Sequence, residues 1–305
     1  TRRTARQFFD LSRRGNQRGD LGNRAFGRDA CGSVRGRGQS AVGWHSEFSG
    51  SCQTSARQAR GRRICRLARC GGDAGIRNTS VDLIYNYPGE TEADLQADLD
   101  TIASLDVAGI SFYSLILHEK TPLFRRLDEE AKAKMRDMGR EKAFFDQIFE
   151  GLAPHGYRLK ELTKLVRDGR DRYDYMEIRH SGGSCIALGH GAGGNLEDYF
   201  YHNSHAVADI SEDIRVCSRG RVLLPEYRVL DALIYALQKG SASLAPFSER
   251  LGVDLSRLFA EKLAGYADAG YLTWDGDTVT LTQDGVFFGN NIISELIGCI
   301  TDRSR

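Results

Sequence analysis

Asp82 is the residue of this chain best placed to do chemistry. It stands inside an apolar run, Val81-Asp82-Leu83-Ile84-Tyr85, within the stretch 79–91, TSVDLIYNYPGET. A carboxylate in such a run must find a partner if it is buried, or serve a ligand. A second group is Gly189-His190-Gly191-Ala192-Gly193-Gly194. Glycines at this density either let backbone approach a ligand or make a tight bend. Gly189, Gly191 and Gly193 are the candidates for the first role. Arg170, Arg172 and Arg179 can grip carboxylates through paired hydrogen bonds, or can form ion pairs with Asp168, Asp171 and Asp174. His180, His190, His202 and His205 are candidate metal ligands, with a hydrogen-bonded polar histidine as the competing reading. The seven cysteines are Cys31, Cys52, Cys65, Cys70, Cys185, Cys217 and Cys299. An odd, scattered set argues against a disulfide framework.

These residues need elements to hold them. The apolar run around Asp82 stops at Pro88-Gly89, and an acidic helical pattern starts at once. A strand that ends in a glycine turn and feeds a helix puts its last polar residues at its carboxyl end, where parallel α/β folds bind ligands. Residues 92–105 carry apolar positions at near-helical spacing. Residues 107–117 form a near-continuous apolar run suited to a strand buried on both faces. Residues 128–156 read as one long helix. Strand–helix–strand at this spacing predicts an α/β fold with a parallel sheet. Residues 225–238 and 255–269 are amphipathic helices, and residues 271–273 and 278–282 flank Asp275-Gly276, a hairpin signal. Helices followed by such a hairpin make a wing.

The totals set bounds. A chain of 305 residues allows one or two domains. The net charge of +1 argues against a whole-chain nucleic-acid or anionic-membrane binder. No apolar run approaches a membrane span, and the Arg-rich N-terminus is unlike a secretory signal, so a cytoplasmic protein without membrane contact is the expectation. Residues 1–78 differ sharply from the rest. They are rich in Arg, Gly, Ser, Gln and Ala and poor in Leu, Ile and Val. Such a segment is a disordered basic tail, an Arg/Gly nucleic-acid binder, or an out-of-frame translation of GC-rich DNA.

Four segments resemble radical S-adenosylmethionine (radical SAM) enzymes of the oxygen-independent coproporphyrinogen-III oxidase type. They are Val81–Thr91, read VDLIYNYPGET; GISFYSL at 109–115; RDRYDYMEIRH at 170–180 leading into LGHGAGG at 188–194; and AGYL at 269–272 with LTQDG at 281–285. The third segment looks most like the haem-utilisation branch. The resemblance implies the C-terminal part of a partial (β/α) barrel over 79–205 and a helical, winged-helix-like domain over 206–305. It implies anaerobic, SAM-dependent opening of haem with methyl transfer, on a tetrapyrrole substrate. It implies SAM and a [4Fe–4S] cluster as cofactors, and a flavodoxin or ferredoxin as electron donor. By resemblance, Asp82 faces the barrel interior and accepts a hydrogen bond from SAM, and the Gly189, Gly191 and Gly193 backbone approaches it.

The same resemblance exposes a gap. The family holds its cluster with C-x-x-x-C-x-x-C, which this chain lacks; Cys65 and Cys70 have four residues between them and no third cysteine beside them. Reading the last two bases of each codon with the first of the next, Trp44-His45 must encode Gly, and the residues that follow permit Ile-Gln-Ser-Phe. That string, an Arg-rich helix and L-G-R make up the family motif just upstream of D-L-I-Y-x-x-P-G. The expectation is a frameshift corrected around 64–78, leaving a chain without cluster ligands. Three other readings stand beside it: an oxygen-independent coproporphyrinogen-III oxidase or dehydrogenase, a cluster-free haem-binding protein, and a winged-helix nucleic-acid binder. Against the last, Arg257 and Lys262 on the second C-terminal helix are offset by Asp254, Glu261 and Asp268.

Overall fold

The computed structural model describes residues 40–41, 78–205 and 217–301. The tail, nucleic-acid and frameshift readings of residues 1–78 lie outside the described residues, apart from a two-residue strand and Asn78. The larger sheet contains Ser40–Ala41 (β1), Asn78–Tyr85 (β2), Gly109–Ser114 (β3), Tyr157–Glu161 (β4) and Lys164–Arg167 (β5), in the order β1-β2-β3-β5-β4. The β1–β2 and β2–β3 pairs are parallel, the second as the strand–helix–strand patterning from residue 79 onward predicts. The β3–β5 and β4–β5 pairs are antiparallel. Only Leu162 and Thr163 separate β4 from β5, too short a link for anything but an antiparallel return.

Helices Glu92–Ala103 (α1) and Met138–Leu152 (α4) cover one face of this sheet. Leu95, Leu99, Phe144, Phe145, Ile148 and Leu152 pack with Leu83, Ile110 and Phe112 in a common core. Period-two alternation puts those strand residues on the covered face and leaves Asp82, Ser111 and Tyr113 on the other. Thr91 starts α1 with a reciprocal capping box to Asp94. The single helix expected over 128–156 is divided. After the short helix Pro122–Arg126 (α2), Glu129–Met135 (α3) ends at Arg136, and Asp137 caps α4 by accepting from Gly139 N at 2.9 Å. An Asp side chain that takes those amides starts a new helix where apolar spacing alone reads one continuous element.

Asn86 joins β2 to α1. It is 1% exposed and left-handed, with φ 61°, a conformation that Asn tolerates better than most residues. Its amide nitrogen donates to Met135 O at 3.0 Å, and Arg140 Nη1 donates to its Oδ1. Arg140 Nη2 also donates to Glu90 O at 2.8 Å, so one guanidinium holds both sides of the turn. Asn86→Leu removes the acceptor and strains the backbone, and is expected to cost about 2–4 kcal/mol in urea unfolding. Asn86→Gly restores the backbone and is expected to lose only about half as much. Equal losses in the two variants would remove the backbone part of this account.

A second sheet follows Asp174–His180 (α5). It is formed by Gly193–Leu196 (β6), Tyr199–Asn203 (β7) and Cys217–Val222 (β8), all antiparallel. The remaining chain runs Pro225–Gln238 (α6), Ser241–Ser243 (β9), Ala245–Leu251 (α7), Leu255–Asp268 (α8), Leu272–Trp274 (β10), Thr278–Leu281 (β11), Gln283–Phe287 (α9) and Gly289–Thr301 (α10). Its strands pair in the order β10-β11-β9, and Asp275 accepts from Asp277 N and Thr278 N at 3.0 and 2.8 Å to close the hairpin expected at Asp275-Gly276. Helix, strand, two helices and a hairpin are the winged-helix-like arrangement. Its core is continuous with that of the larger sheet, from Leu83 through Phe145 to Leu263 and Leu296. The architecture is α/β, part of a barrel followed by a helical module. No helix among the described residues is long and apolar enough to cross a membrane.

Candidate functional site

The uncovered face of the larger sheet carries a row of polar residues. Asp82 pairs in register with Ser111, Ser111 with Lys164, and Lys164 with Glu161. Residues directly opposite one another share a face, so Asp82, Ser111, Lys164 and Glu161 cross β2, β3, β5 and β4 side by side. Asp82 is exposed, and no hydrogen bond or ion pair holds its carboxylate among the described residues. Among the described residues neither of the structural roles open to it, an Arg partner or a loop cap, is filled. Its carboxylate remains available as an acceptor.

Lys164 is the opposite case. Its side chain is 4% exposed, and its ammonium meets Asp171 at 2.9 Å and Ser80 Oγ at 2.6 Å. A Cβ on Gly109 would lie 2.6 Å from Asp171 Oδ2 and 3.0 Å from Lys164 Cε, so the pair occupies space that only glycine leaves open there. Asp171 Oδ1 accepts from Tyr173 N at 3.0 Å, and the Tyr173 ring centroid lies 5.2 Å from the ammonium. Burial pushes the Tyr173 phenol far above its ordinary range, with Glu161 adding to the shift. Burial also raises Tyr113, its hydrogen bond with Ser111 opposes this, and the Asp82 charge adds to it. Both phenols stay protonated at neutral pH and can donate. The face therefore offers carboxylate acceptors and phenol donors around a buried cation. It suits hydrogen bonding to a polar ligand.

The glycine run sits elsewhere. It precedes and enters β6, in the second sheet, and no hydrogen bond or ion pair among the described residues ties it to Asp82. Gly189 and Gly191 are left-handed, with φ 91° and 68°. A Cβ on Gly191 would lie 2.7 Å from His205 Nδ1, and one on Gly193 2.8 Å from His202 Cε1. Gly191 N donates to Ser204 O at 2.7 Å, and Asn203 Nδ2 to Gly189 O at 2.8 Å. Local packing thus accounts for glycine at 191 and 193, whereas Gly189 has open space around it.

The other sequence candidates divide. His180 is taken up: Nδ1 lies 2.9 Å from Asp231, its ring stacks on Tyr235 at 4.2 Å, and its hydrogen bond holds Asp231 below the usual carboxylate range. His190 and His205 are exposed. Arg172 pairs with Asp174 at 3.3 Å, as one reading had it. Arg170 instead pairs with Asp106 at 2.8 Å, and Asp171 belongs to Lys164. Sequence reasoning passed over Lys164, Tyr113 and Asn86. Lys164 carried a signal of the same kind as Asp82, a charge inside the short apolar strand Lys164-Leu165-Val166. Among the described residues no group of three or more His, Cys, Asp or Glu could hold a metal ion.

No protein-family model matches the chain. It is similar to the heme chaperone HemW of Bacillus subtilis (strain 168), 25% identical over 236 residues covering 74% of this chain and 60% of that protein. It is also similar to the anaerobilin synthase of Escherichia coli O157:H7, 24% identical over 224 residues covering 70% of this chain and 48% of that one. The chain thus spans about half to three fifths of the length of these curated relatives. Among solved structures, coproporphyrinogen III oxidase (HemN) from Escherichia coli, titled a radical SAM enzyme, matches with a TM-score of 0.61 at 18% identity, covering 77% of this chain and 58% of that one. The chain is thus similar in fold to the oxidase and in sequence to the two curated relatives, the similarity that the four sequence segments led us to expect.

Proposed function

We propose that this chain is a tetrapyrrole-handling member of the family, related to its haem-utilisation branch, that does not itself carry out radical chemistry. The observation that carries the second half is the donor set. A cluster that leaves one iron open to SAM needs three thiolates in one loop. The chain has no C-x-x-x-C-x-x-C run, and the described thiols Cys185 and Cys299 belong to different parts of the fold. These residues do not fit a [4Fe–4S] cluster, and SAM-dependent opening of haem with methyl transfer has no place to start. The partner class that remains is a haem-like tetrapyrrole, without the electron donor that radical chemistry would require. We place the barrel part at residues 79–205 and the helical, winged-helix-like module in residues 206–305, with β8 of the latter pairing back onto β7.

Two measurements test this. Anaerobic reconstitution with iron and sulfide is expected to give no stoichiometric cluster absorption, and haem titration is expected to give a saturable complex at one haem per chain. A stoichiometric cluster spectrum would overturn the first claim, and unsaturable haem uptake the second.

S-adenosylmethionine fits the face better than the cluster does. The Asp82 carboxylate, unpaired among the described residues, would accept from its donors; the Gly189, Gly191 and Gly193 backbone, in the second sheet, enters this reading by resemblance alone. Asp82→Asn is expected to weaken equilibrium binding of SAM about tenfold, the worth of one hydrogen bond to a charged group. Unchanged affinity would remove Asp82 from the site.

A nucleic-acid role for the winged-helix-like module finds no support in its charges. Lys262 on α8 is paired with Glu295 at 2.9 Å, and the wing turn presents Asp275 and Asp277. The module packs on the larger sheet instead.

A further inference from the structure

A cavity of about 440 Å³ lies between the second sheet, the end of α5, α6, the end of α7 and the end of α10. That volume is within the range of small-molecule sites. It is separate from the polar face that carries Asp82. Helix α5 starts beside that face at Tyr173 and ends at the cavity with Arg179 and His180.

The cavity wall combines two chemistries. Phe200, Leu223, Leu230, Ile234 and Ile297 line it with apolar surface. Arg179, Arg221, Arg228 and Arg250 line it with guanidinium groups. The charges do not cancel. Asp231 is engaged by His180 at 2.9 Å, and Arg228 is engaged by Asp198. Arg221 and Arg250 have no ion pair among the described residues, and Arg221 lies over the Phe200 ring, 6.0 Å from its centroid. Against them stands one lining carboxylate without an ion pair, Glu197. An excess of guanidinium beside apolar walls attracts an anion with a hydrophobic body, because Arg binds carboxylates through two parallel hydrogen bonds.

We propose that this cavity binds a carboxylic acid with a ring-bearing apolar body, Arg221 and Arg250 taking the carboxylate and the Phe200–Ile234 wall taking the body. The acid has two chemical sources, the carboxylate-bearing edge of a tetrapyrrole or a separate small aromatic acid. The proposal stands whether or not the chain binds haem.

The test uses the full chain and isothermal titration calorimetry with 1-naphthoate, with its neutral carbinol, 1-naphthalenemethanol, as the matched control. Naphthoate is expected to bind at one site per chain at least tenfold more tightly than the carbinol. Arg221→Ala and Arg250→Ala are each expected to weaken naphthoate about tenfold and leave the carbinol unchanged. Both arginines are exposed, so folding is expected to be unaffected, with far-ultraviolet circular dichroism as the check. Thr301→Trp, which fills the cavity mouth from α10, is expected to abolish binding of both probes. Equal affinity for acid and carbinol, or naphthoate binding indifferent to all three substitutions, would overturn the proposal. A haem competition arm then separates the sources: displacement of naphthoate assigns the site to tetrapyrrole carboxylates, and lack of displacement to a small acid.

Discussion

Asp171→Ala is expected to destabilise the chain by about 3–5 kcal/mol, the usual cost of stranding a buried charge. The Lys164 ammonium it abandons is 4% exposed and, among the described residues, keeps Ser80 Oγ at 2.6 Å and the Tyr173 ring at 5.2 Å but no carboxylate ion pair. The reverse change should cost far less. Lys164→Met leaves an Asp171 side chain that is 18% exposed, can take water, and still accepts from Tyr173 N at 3.0 Å. Replacing a whole buried ion pair by apolar groups of similar volume is often close to neutral. The expected result is therefore an asymmetry, and the double variant Asp171→Ala with Lys164→Met should recover most of the loss. Urea unfolding of the four proteins in a double-mutant cycle reads this directly. Similar small losses in both single variants would mean that the pair is hydrated and contributes little to the polar face.

Phe145→Ala carries the other large effect, about 3–5 kcal/mol for a buried aromatic truncated in a packed core. Phe145 is 3% exposed and stands where the two parts of the molecule meet. Its ring lies 4.7 Å from Phe149 and 6.0 Å from Phe112 on one side, and 5.2 Å from Phe287 of α9 on the other. The same junction has an ionic layer, with Lys142 2.7 Å from Asp284 and 2.6 Å from Asp146. Those side chains are partly exposed, so the layer is worth roughly 1 kcal/mol or less. Lys142→Ala is accordingly expected to be mild where Phe145→Ala is severe. Hydrogen exchange should show α9 and α10 opening earlier in Phe145→Ala. A loss confined to α4, with α9 and α10 protected as before, would mean that the aromatic contact does not couple the module to the sheet.

Much of this was legible in residue order. The α/β character, the strand carrying Asp82, its stop at Pro88-Gly89 and the helix after it follow from local patterning. So do the helices at 225–238 and 255–269 and the hairpin at Asp275-Gly276. Each depends on contacts between residues close in the chain, where period, capping and turn chemistry act directly. The lack of a three-cysteine run is likewise a property of the sequence, and with it the misfit to the cluster. The resemblance to coproporphyrinogen-III oxidase-like proteins rested on residues 79 onward, and both the similarity to named relatives and the shared fold bear it out.

Tertiary structure decided which residues stand beside Asp82. The row Asp82–Ser111–Lys164–Glu161 exists because β5 turns back against β3 in one particular register. A slip of one residue would send Lys164 to the helix-covered face. Its partner Asp171, assigned by proximity in sequence to a neighbouring arginine, reaches Lys164 because Gly109 leaves room on a strand more than 50 residues upstream. The arginine-lined cavity is assembled in the same way, from α5, the second sheet, α6, α7 and α10. Sequence patterning records the face a residue prefers. Which charges then share that face is set by strand register and long-range packing, because those energies belong to pairs of residues that no local window contains.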